Sequence, residues 1–556
     1  MQNKNLLRKF MLFVLAAGMS ATVMAQLPKV YVTSNITTNT TWTNDHIYVL
    51  SGYIYVTSGH TLTINPGTVV YGNDPTLFSK GALIVTRGAK LMAVGTACQP
   101  VVFTSGTPNP KQRKRGDWGG VILLGKAQIN VPGDTANIEG IPPTKLTLYG
   151  GGATPKLNDN SGTLQYVRIE YAGVALSPNN EINGLTLGGV GRGTTIDHVQ
   201  VSYSNDDSYE WFGGNVNAKY LIAFRGIDDD FDTDQGFSGM VQFGVALRDS
   251  KVADVSKSHG FESDNDANGS SNTPQTKAIF CNITEDAGGD TTQNSLFEAG
   301  VYIRRNSALK VYNSIVMGWP IGIYIDGTAS QNNVLADTLV NNNIIGVKNV
   351  ANYVSTVSPS ANTAVIDLLQ NHAGKRFYTD NAGIKLSKPY NLNAPDLRPK
   401  ASSPAVTGGN FNHAALKNAF FTKTSYVGAL SGALADDWTK DSWVNWRPDT
   451  TNYSNGIPSC SGFVAAAQPI SEDVIVADVT LSPNPSNGYF NIKASGFSAN
   501  IINVKVSDLN NGKVYFIGKA NNNSTTNISM HVPIGNYVVE LSDGKTIVTK
   551  KLSVLN

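Results

Sequence analysis

Short apolar runs separated by Gly, Asn, Asp and Pro recur along the first 350 or so residues of this chain of 556. Val201, Ala223 and Val245 lie 22 residues apart in similar apolar surroundings. Near the start, Leu62 precedes Leu83, and Val69 precedes Leu91, by almost the same interval. A period of about 20–25 residues with several short strands per repeat predicts a β-solenoid, in which each coil buries its inward side chains by stacking on its neighbours.

The opening repeats carry a family resemblance. The runs "TLTINPGTVVYG", "GALIVTRGAKLMAVGT" and "PVVFT" resemble the first coils of secreted right-handed parallel β-helix proteins. The resemblance covers roughly residues 45–350 and implies an all-β chain with a parallel β-helix over residues 26–350. Such helices host lyases, hydrolases and adhesins alike, so the fold does not assign a function.

The pattern loosens over residues 351–460, where we expect closing coils and a C-terminal cap. This segment contains Trp438, Trp443 and Trp446. Exposed tryptophans could stack on sugar rings. We favour a hydrophobic plug over the open end of the solenoid, because an unpaired sheet edge needs a cover.

The last residues alternate apolar and polar positions, with Asn-Gly and Asp-Gly turns, which predicts a small antiparallel β-sandwich. The stretches "PNPSNG", "DLNNGKVYF", "GNYVVEL" and "KKLSVLN" closely resemble the type A C-terminal sorting domain of the type IX secretion system. The resemblance assigns residues 474–556 to this domain, after a linker at 461–473. It implies the type IX secretion machinery and its sortase as partners, and a secreted, extracellular or outer cell-surface location.

Residues 1–25 have the features of a signal peptide, with Lys4, Arg8 and Lys9 before the apolar run "FMLFVLAAGMSA". That run is too short to span a bilayer. The formal net charge of +2 offers no general attraction for nucleic acid. We therefore expect an exported chain with no transmembrane span, no nucleic-acid partner and no organic cofactor.

Cysteine usage is sparse. Three cysteines are too few for a disulfide framework. We expect Cys98 and Cys281, each beside an apolar run, to be packed core thiols.

Three acidic turns stand out in the middle of the chain: "YSNDDSYEWFGG", "GIDDDFDTDQGF" and "SHGFESDNDANGSS". Asp207 and Asp229 are 22 residues apart, which is the solenoid period. Strands in neighbouring coils lie about 4.8 Å apart. We therefore expect the first two turns to stack and the third to lie one coil further on, which would form a patch rich in carboxylates.

One interpretation of this patch is a calcium site. Carboxylates at alternate positions can supply the oxygen ligands that calcium prefers. In the third turn, the ligand positions and the following glycine match the first half of an EF-hand-type loop, but Gln275 replaces the final glutamate. The candidate metal ligands are Asp230, Asp232, Asp234, Asp264, Asp266 and Asn268.

A second interpretation is sugar chemistry. Asp207, Asp229, Asp230 and His259 resemble the acids and histidine that polygalacturonases place on adjacent coils. A lyase would also need a basic residue near its substrate, and Lys219, Arg225 and Arg248 are candidates.

A third interpretation is structural, because Asp is common in turns, where it hydrogen-bonds its own backbone. We favour a glycan-binding, adhesive or structural role at the cell surface, with extracellular polysaccharide as the ligand. The alternative is a polysaccharide lyase or glycoside hydrolase that uses the acidic flank.

The sorting signal gives a first prediction. Deletion of residues 475–556 should leave the protein in the periplasm of a cell that has a type IX system, because the sorting domain that the secretion machinery recognises would be lost. Fractionation followed by immunoblotting measures this, with the full chain as the control. Normal surface display of the truncated chain would contradict the assignment.

Overall fold

The computed structural model describes residues 26–76, 80–177, 180–289, 293–337, 340–347, 353–357, 362–372, 376–457, 478–497, 499–508, 513–543 and 547–555. The predicted signal peptide and linker lie outside these residues. The chain divides into two compact units, residues 1–460 and 461–556. None of the helices in the described ranges is long and apolar enough to cross a bilayer.

The first unit is a parallel β-helix. Its strands form two long sheets, which we call sheet A and sheet B and which have seventeen and ten strands among the described residues. The first strands, in chain order, are β1 (Lys29–Val32), β2 (Thr40–Trp42), β3 (Ile47–Leu50), β4 (Tyr53–Val56), β5 (Thr61–Ile64), β6 (Val69–Tyr71), β7 (Ala82–Val85), β8 (Lys90–Val94), β9 (Val101–Thr104), β10 (Val121–Leu124), β11 (Ala136–Asn137), β12 (Leu148–Tyr149), β13 (Gly162–Glu170), β14 (Ala175–Ser177), β15 (Asn180–Glu181), β16 (Leu185–Val190) and β17 (Thr195–Ser202).

The later strands of this unit are shorter towards its C-terminal end. They are β18 (Tyr209–Gly214), β19 (Asn217–Phe224), β20 (Phe231–Asp234), β21 (Met240–Leu247), β22 (Phe261–Ser263), β23 (Ile279–Asp286), β24 (Ala299–Ile303), β25 (Lys310–Tyr312), β26 (Ile315–Met317), β27 (Ile321–Asp326), β28 (Val340–Asn341), β29 (Ile344–Gly346), β30 (Val354–Val357), β31 (Arg376–Tyr378), β32 (Leu386–Lys388) and β33 (Asp396–Pro399). The helices are α1 (Thr328–Ala336), α2 (Thr363–Asp367) and α3 (Asn381–Ile384), with a π-helical turn at Leu368–His372 and 3-10 turns at Pro110–Gln112, Pro404–Val406, Ala414–Lys417, Leu434–Asp436 and Trp438–Lys440.

The predicted period holds in the middle of the helix. Strands β17, β19 and β21 are consecutive neighbours in sheet A, and Val201 pairs with Ala223. In the next coil Val245 pairs with Ile222, one residue from the predicted partner. The all-β parallel architecture predicted from the sequence is therefore confirmed.

The predicted pairings near the start are wrong. Leu62 pairs with Leu91 rather than with Leu83. Val69 pairs with Val102 rather than with Leu91. The coil that follows β5 and β6 is longer than the predicted period, and apolar spacing does not report the length of a turn. The coil before it keeps the period, because Leu62 pairs with Thr40 and Val69 pairs with Ile47.

A ladder of aromatic residues forms one corner of sheet A. Tyr166, His198, Tyr220 and Phe243 occupy equivalent positions in β13, β17, β19 and β21, and each has a positive φ, between 52° and 63°. Bulky residues rarely adopt this conformation. Their rings stack with centroid separations of 4.5, 4.3 and 5.2 Å. The stacking contacts accompany a backbone bend that would otherwise be unfavourable.

Residues 408–457, which we call the strap, run back along the outside of sheet A towards the early coils. The carbonyl oxygen of Thr422 accepts a hydrogen bond from Gln242 at 2.7 Å. The carbonyl of Asn445 accepts one from Gln200 at 2.8 Å, in an earlier coil. The carbonyl of Pro448 accepts one from Arg113 at 3.3 Å. The strap therefore joins coils that are far apart in the sequence.

The tryptophans belong to this strap and not to an end cap. Trp443 is fully buried, with its ring 6.2 Å from that of Tyr166 and 5.4 Å from that of His198. Trp438 and Trp446 are half-buried beside the rings of Tyr220 and Phe224. The predicted plug over the open end is wrong, because the tryptophans cover the flank of the helix at the aromatic ladder.

The cysteines divide differently from the prediction. Cys281 is a buried free thiol, as expected. Cys98 forms a disulfide bond, so its assignment as a packed thiol is wrong. Cys460 lies outside the described residues.

The second unit consists of two antiparallel sheets with strand orders β34-β35-β38 and β37-β36-β39-β40. Burial alternates along its strands, as in Ile501–Asp508, where Ile502, Val504 and Val506 are buried. This is the predicted sandwich. Its strands are β34 (Asp478–Ser482), β35 (Tyr489–Ser495), β36 (Ile501–Asp508), β37 (Val514–Asn521), β38 (Ser524–Ser529), β39 (Gly535–Ser542) and β40 (Ile547–Val554).

The strap generates a stability prediction. Trp443→Ala should lower the free energy of unfolding of the first unit by about 3–5 kcal/mol, because it removes a fully buried aromatic side chain and leaves a cavity. Chemical denaturation followed by circular dichroism measures the change. Leu434→Ala, at an exposed position of the same strap, is the control and should change stability little. Equal stability of the parent and Trp443→Ala would contradict a structural role of the strap.

Candidate functional site

The three acidic turns stack on one edge of sheet B. Strand β18 pairs with β20 through Tyr209 and Phe231, and β20 pairs with β22 through Phe231 and Phe261. The backbone N–H of Asp229 donates to a side-chain oxygen of Asp207 at 2.8 Å. The stacking predicted from the 22-residue offset is therefore present, and the third turn lies one coil further on.

These turns open into an acidic cavity of about 480 Å³. Ten acidic residues line it, together with three basic ones and two others, so the charge is strongly unbalanced. The lining residues are Glu139, Glu181, Asp206, Asp207, Glu210, Asp228, Asp229, Asp232, Asp254, Val255, Ser256, Lys257, Glu262, Arg304 and Arg305.

Three of these acids, Glu139, Glu181 and Asp254, were missed by reasoning from the sequence. Glu139 lies in the segment between β10 and β13, and Glu181 lies in the shorter segment between β13 and β16. No periodic signal marks either of them, because both lie in segments that connect strands of the repeat and do not follow it. Glu210 lay inside a predicted acidic turn but was not assigned a role, although Asn183 donates a hydrogen bond to its carboxylate.

Carboxylate oxygens come together in two overlapping groups. Asp206, Asp207 and Asp228 form one group, and Asp207, Glu210 and Asp232 form the other. Within each group, one oxygen per residue lies within 4.8 Å of the others. One oxygen of Asp232 is buried without a hydrogen-bond partner in the described part of the chain. Carboxylate oxygens in this number are ligands suited to a hard divalent cation.

Burial and mutual repulsion both act on these carboxyl groups. Burial is the largest cause that raises the pKa of Asp207, Glu210 and Asp232 well above the usual range. Repulsion from neighbouring carboxylates adds to each shift, including that from Asp229 on Asp207 and Asp232. A cluster of this kind must bind either protons or a cation.

His259 is an internal counterion. Its Nδ1 lies 3.0 Å from Asp229 and 3.1 Å from Glu262, and its Nε2 lies 3.2 Å from Glu298. Burial opposes a charged imidazole, but Asp229, Glu262 and Glu298 together raise the pKa of His259 well above its ordinary value. Asp229, His259 and Glu262 also form a third group whose ligand atoms lie within 4.8 Å of one another.

Asp230 differs most from its prediction. It was expected to face the patch as a catalytic residue and as a metal ligand. Its side chain is instead fully buried inside the coil, where a carboxylate oxygen lies 3.0 Å from Arg248. The alternation of a strand begins only at Phe231, so Asp230 in the preceding turn does not share a face with Asp232.

The predicted calcium loop is not assembled. The Asp264 carboxylate accepts hydrogen bonds from Arg304 at 2.8 Å and from Arg305 at 2.7 Å. The Asp266 carboxylate accepts bonds from the backbone N–H groups of Asn268, at 2.9 Å, and of Ser270, at 3.1 Å. The two carboxylates therefore serve different partners.

The remaining assignments are distributed as follows. Burial and the charge of Asp264 raise the pKa of Asp234 to about 8, but Asp234 is not among the residues that line the acidic cavity. Among the six predicted metal ligands, only Asp232 belongs to the carboxylate groups described above. Neither Lys219, Arg225 nor Arg248 lines the cavity, and the basic residues that do are Lys257, Arg304 and Arg305.

These shifts predict how stability depends on pH. Because the native pKa of Asp232 is raised, the native state holds more protons than the unfolded chain, and stability falls as pH rises through that native pKa. With chelator present, the melting temperature should therefore decrease as the pH is raised from 5 to 8. Asp232→Asn should raise the midpoint at pH 8 by a few degrees.

The control for this experiment is Asp266→Asn. Burial opposes the shift, but hydrogen bonds from Ser270 and its neighbours lower the pKa of Asp266, so its contribution to stability is present at neutral pH and lost in acid. Asp266→Asn should not raise the midpoint at pH 8. A destabilised Asp232→Asn at pH 8 in chelator would contradict the account.

Comparison with known proteins agrees with the architecture. Residues 34–385 match the family model described as pectate-lyase like beta helix domain, and residues 480–555 match the secretion system C-terminal sorting domain. No curated protein matches the chain. A solved structure that it resembles is the enzymatically active domain of tailspike protein 2 of bacteriophage CBA120, with 11% identity, 90% of this chain and 72% of that chain covered, and a TM-score of 0.25.

The two family matches cover most of the described chain. The sorting domain indicates export through the type IX secretion system to the extracellular space or the cell surface. The acidic cavity lies wholly within the β-helix match, which covers more than half of the sequence. The chain is therefore a member of the pectate-lyase-like β-helix family that carries a C-terminal sorting domain for secretion.

Proposed function

We propose that the exported β-helix binds divalent cations, calcium foremost, in the acidic cavity and through them holds the anionic groups of an extracellular polysaccharide. The observation that carries this proposal is the convergence of two groups of three carboxylates on a shared Asp207. The calcium expected from the sequence is kept. Of its six predicted ligands only Asp232 is retained, and Asp207 and Glu210 join it.

Calcium suits the carboxylate groups better than a proton does. It takes six to eight oxygen ligands at about 2.3–2.6 Å in a flexible geometry. Three clustered carboxylates supply only part of that shell, so water or the oxygens of a ligand would complete it. Binding would also relieve the repulsion that raises the pKa values of these acids.

A polysaccharide suits the lining of the cavity. The residues that line it are almost all polar or charged, and Val255, which is 82% exposed, is the single apolar side chain among them. Arg304 and Arg305 lie on the same lining as the acids. An anionic sugar could meet a bound cation on one side and an arginine on the other.

Cleavage of the polysaccharide is the second candidate function. The observation in its favour is that acids with raised pKa values share the cavity with Lys257, Arg304 and Arg305. The oxygens of Asp207 and Glu210 approach within 4.8 Å, close to the separation of about 5–5.5 Å in retaining glycosidases. In this alternative Glu210 would act as the acid and Asp207 as its carboxylate partner, whereas Asp230, which is buried against Arg248, would not act.

Calcium binding is tested by calorimetry and thermal unfolding of the chelator-treated protein. Calcium should raise the midpoint, because binding to the native state at a hundredfold excess over Kd adds about 2.7 kcal/mol. Asp207→Asn should abolish most of the binding heat and of the thermal shift, since Asp207 belongs to both groups. Asp266→Asn should keep both, and loss of the response in Asp266→Asn alone would return the site to the predicted loop.

The glycan part of the proposal needs its own experiment. Polygalacturonate should be retained more strongly by the immobilised protein in calcium, and chelator should release the calcium-dependent part. Formation of unsaturated ends would identify a lyase, and formation of new reducing ends would identify a hydrolase. Calcium-dependent binding without either product supports the first candidate, and retention that is equal in calcium and in chelator contradicts a role for calcium.

A further inference from the structure

A second cavity, also of about 480 Å³, lies at the turns that follow the first strands of sheet B. We call it the basic cavity and define it by its four cationic residues, Arg87, Lys126, Lys145 and Lys156. The residues that line it include hydroxyl side chains and, within the described part of the chain, no carboxylate. Its charge is therefore opposite to that of the acidic cavity.

Stacked turns build one wall of the basic cavity. Strands β4, β7 and β10 are consecutive neighbours, with Val56 paired to Val85 and Val85 paired to Leu123. Ser58, Arg87 and Lys126 follow these three strands at similar positions. At the acidic turns, coil stacking places one carboxylate above another. At the basic cavity, the same stacking places a hydroxyl, a guanidinium and an ammonium group along one wall.

The absence of a side chain at Gly88 leaves space beside this wall of the cavity. A β-carbon at Gly88 would lie 2.8 Å from the Lys126 ammonium nitrogen and 2.9 Å from the Ser58 hydroxyl oxygen. These two donors therefore converge over the bare α-carbon of Gly88. The guanidinium of Arg87 is held by a bond from Nη1 to the carbonyl of Gly150 at 3.0 Å, which fixes its position at the cavity.

The segment between β10 and β13 supplies the opposite wall, with Lys145 and Lys156 exposed. The backbone N–H of Lys156 donates to the carbonyl of Lys126 at 2.7 Å, which holds the two walls together. One carboxylate acts on these lysines from outside the lining. Burial raises the pKa of Asp159, and the charges of Lys126 and Lys156 oppose that shift. Asp159 thus offsets part of the positive charge, while the lining among the described residues holds four cations and no carboxylate.

We propose that the basic cavity binds anionic sugar residues of a polysaccharide directly, without a metal ion. Carboxylate or sulfate groups would meet the cations, and sugar hydroxyls would meet Ser58 and the exposed Thr154. The cations come from separate segments on two walls, an arrangement that suits several anionic groups on one polymer better than a single small ion. The export of the chain places this cavity where extracellular polysaccharides are present.

This site is independent of the acidic cavity. Calcium is required for glycan binding at the acidic cavity, whereas the basic cavity needs none. Binding that persists in chelator therefore reports on the basic cavity alone, and failure of one proposal leaves the other distinguishable.

The test measures binding of the full chain to dextran sulfate and to polygalacturonate in chelator at low salt, with neutral dextran as the reference. Lys126→Gln combined with Lys156→Gln should weaken binding at least tenfold. It should also reduce the dependence of affinity on salt, because fewer counterions are released. Arg87 is left unchanged, since its bond to Gly150 supports the fold.

The matched control is Lys111→Gln combined with Lys114→Gln. It removes the same charge from an exposed basic run outside the cavity and should bind like the parent. Equal melting temperatures establish that both variants fold. Equal weakening in both variants, no binding by the parent, or binding to anionic phospholipid vesicles but to neither polysaccharide would overturn the proposal.

Discussion

In-register stacking of parallel coils is the constraint on which the rest of the structure depends. Backbone hydrogen bonds between neighbouring coils place each residue directly above its equivalent, about 4.8 Å away. Tyr166 consequently lies beside His198, and Asn342 donates to Asn313 at 2.6 Å at the same corner further along. Aromatic rings and amides gain from such proximity. Carboxylates do not, so the stack of acidic turns is a place where backbone pairing imposes repulsion.

The relief of that repulsion shapes the site. Some acids are neutralised within the fold, as Asp230 is by Arg248 and Asp229 is by His259. Asp207, Glu210 and Asp232 have no such cation beside them among the described ion pairs, and they face the acidic cavity. Their raised pKa values, the clustering of their oxygens and the unpartnered oxygen of Asp232 describe the same condition, a negative site that is completed by a cation. The basic cavity shows the opposite sign at earlier coils, so the small net charge of the chain conceals two separated charged surfaces.

The sequence could predict which strands and turns stack where neighbouring coils have equal length. It could not predict where the segments that interrupt the repeat are placed. The 22-residue spacing of Asp207 and Asp229 correctly indicates that their turns stack, because both coils have the same length. The spacing of Leu62 and Leu83 misleads, because this coil is longer than the period and places Leu83 in sheet B, whereas Leu62 lies in sheet A. Glu139 reaches the acidic cavity from a segment outside the repeat, and its local sequence contains no pattern that predicts this position. The prediction for Asp230 is wrong for another reason. Side chains alternate between the two faces only within a strand, and Asp230 precedes the strand that begins at Phe231. The strap packs against strands that are far from it in the sequence. The sequence around Trp443 therefore shows that its side chain is apolar but not which surface it covers.

The central claim is that stacked carboxylates around Asp207 form a cation site, and anomalous diffraction tests it most directly. Crystals of the protein soaked with a lanthanide that substitutes for calcium would locate a bound ion without reference to activity. The account predicts an anomalous peak among Asp207, Glu210 and Asp232, and its loss in Asp207→Asn. A peak confined to the turn of Asp264, Asp266 and Asn268, or an acidic cavity without any peak, would contradict it.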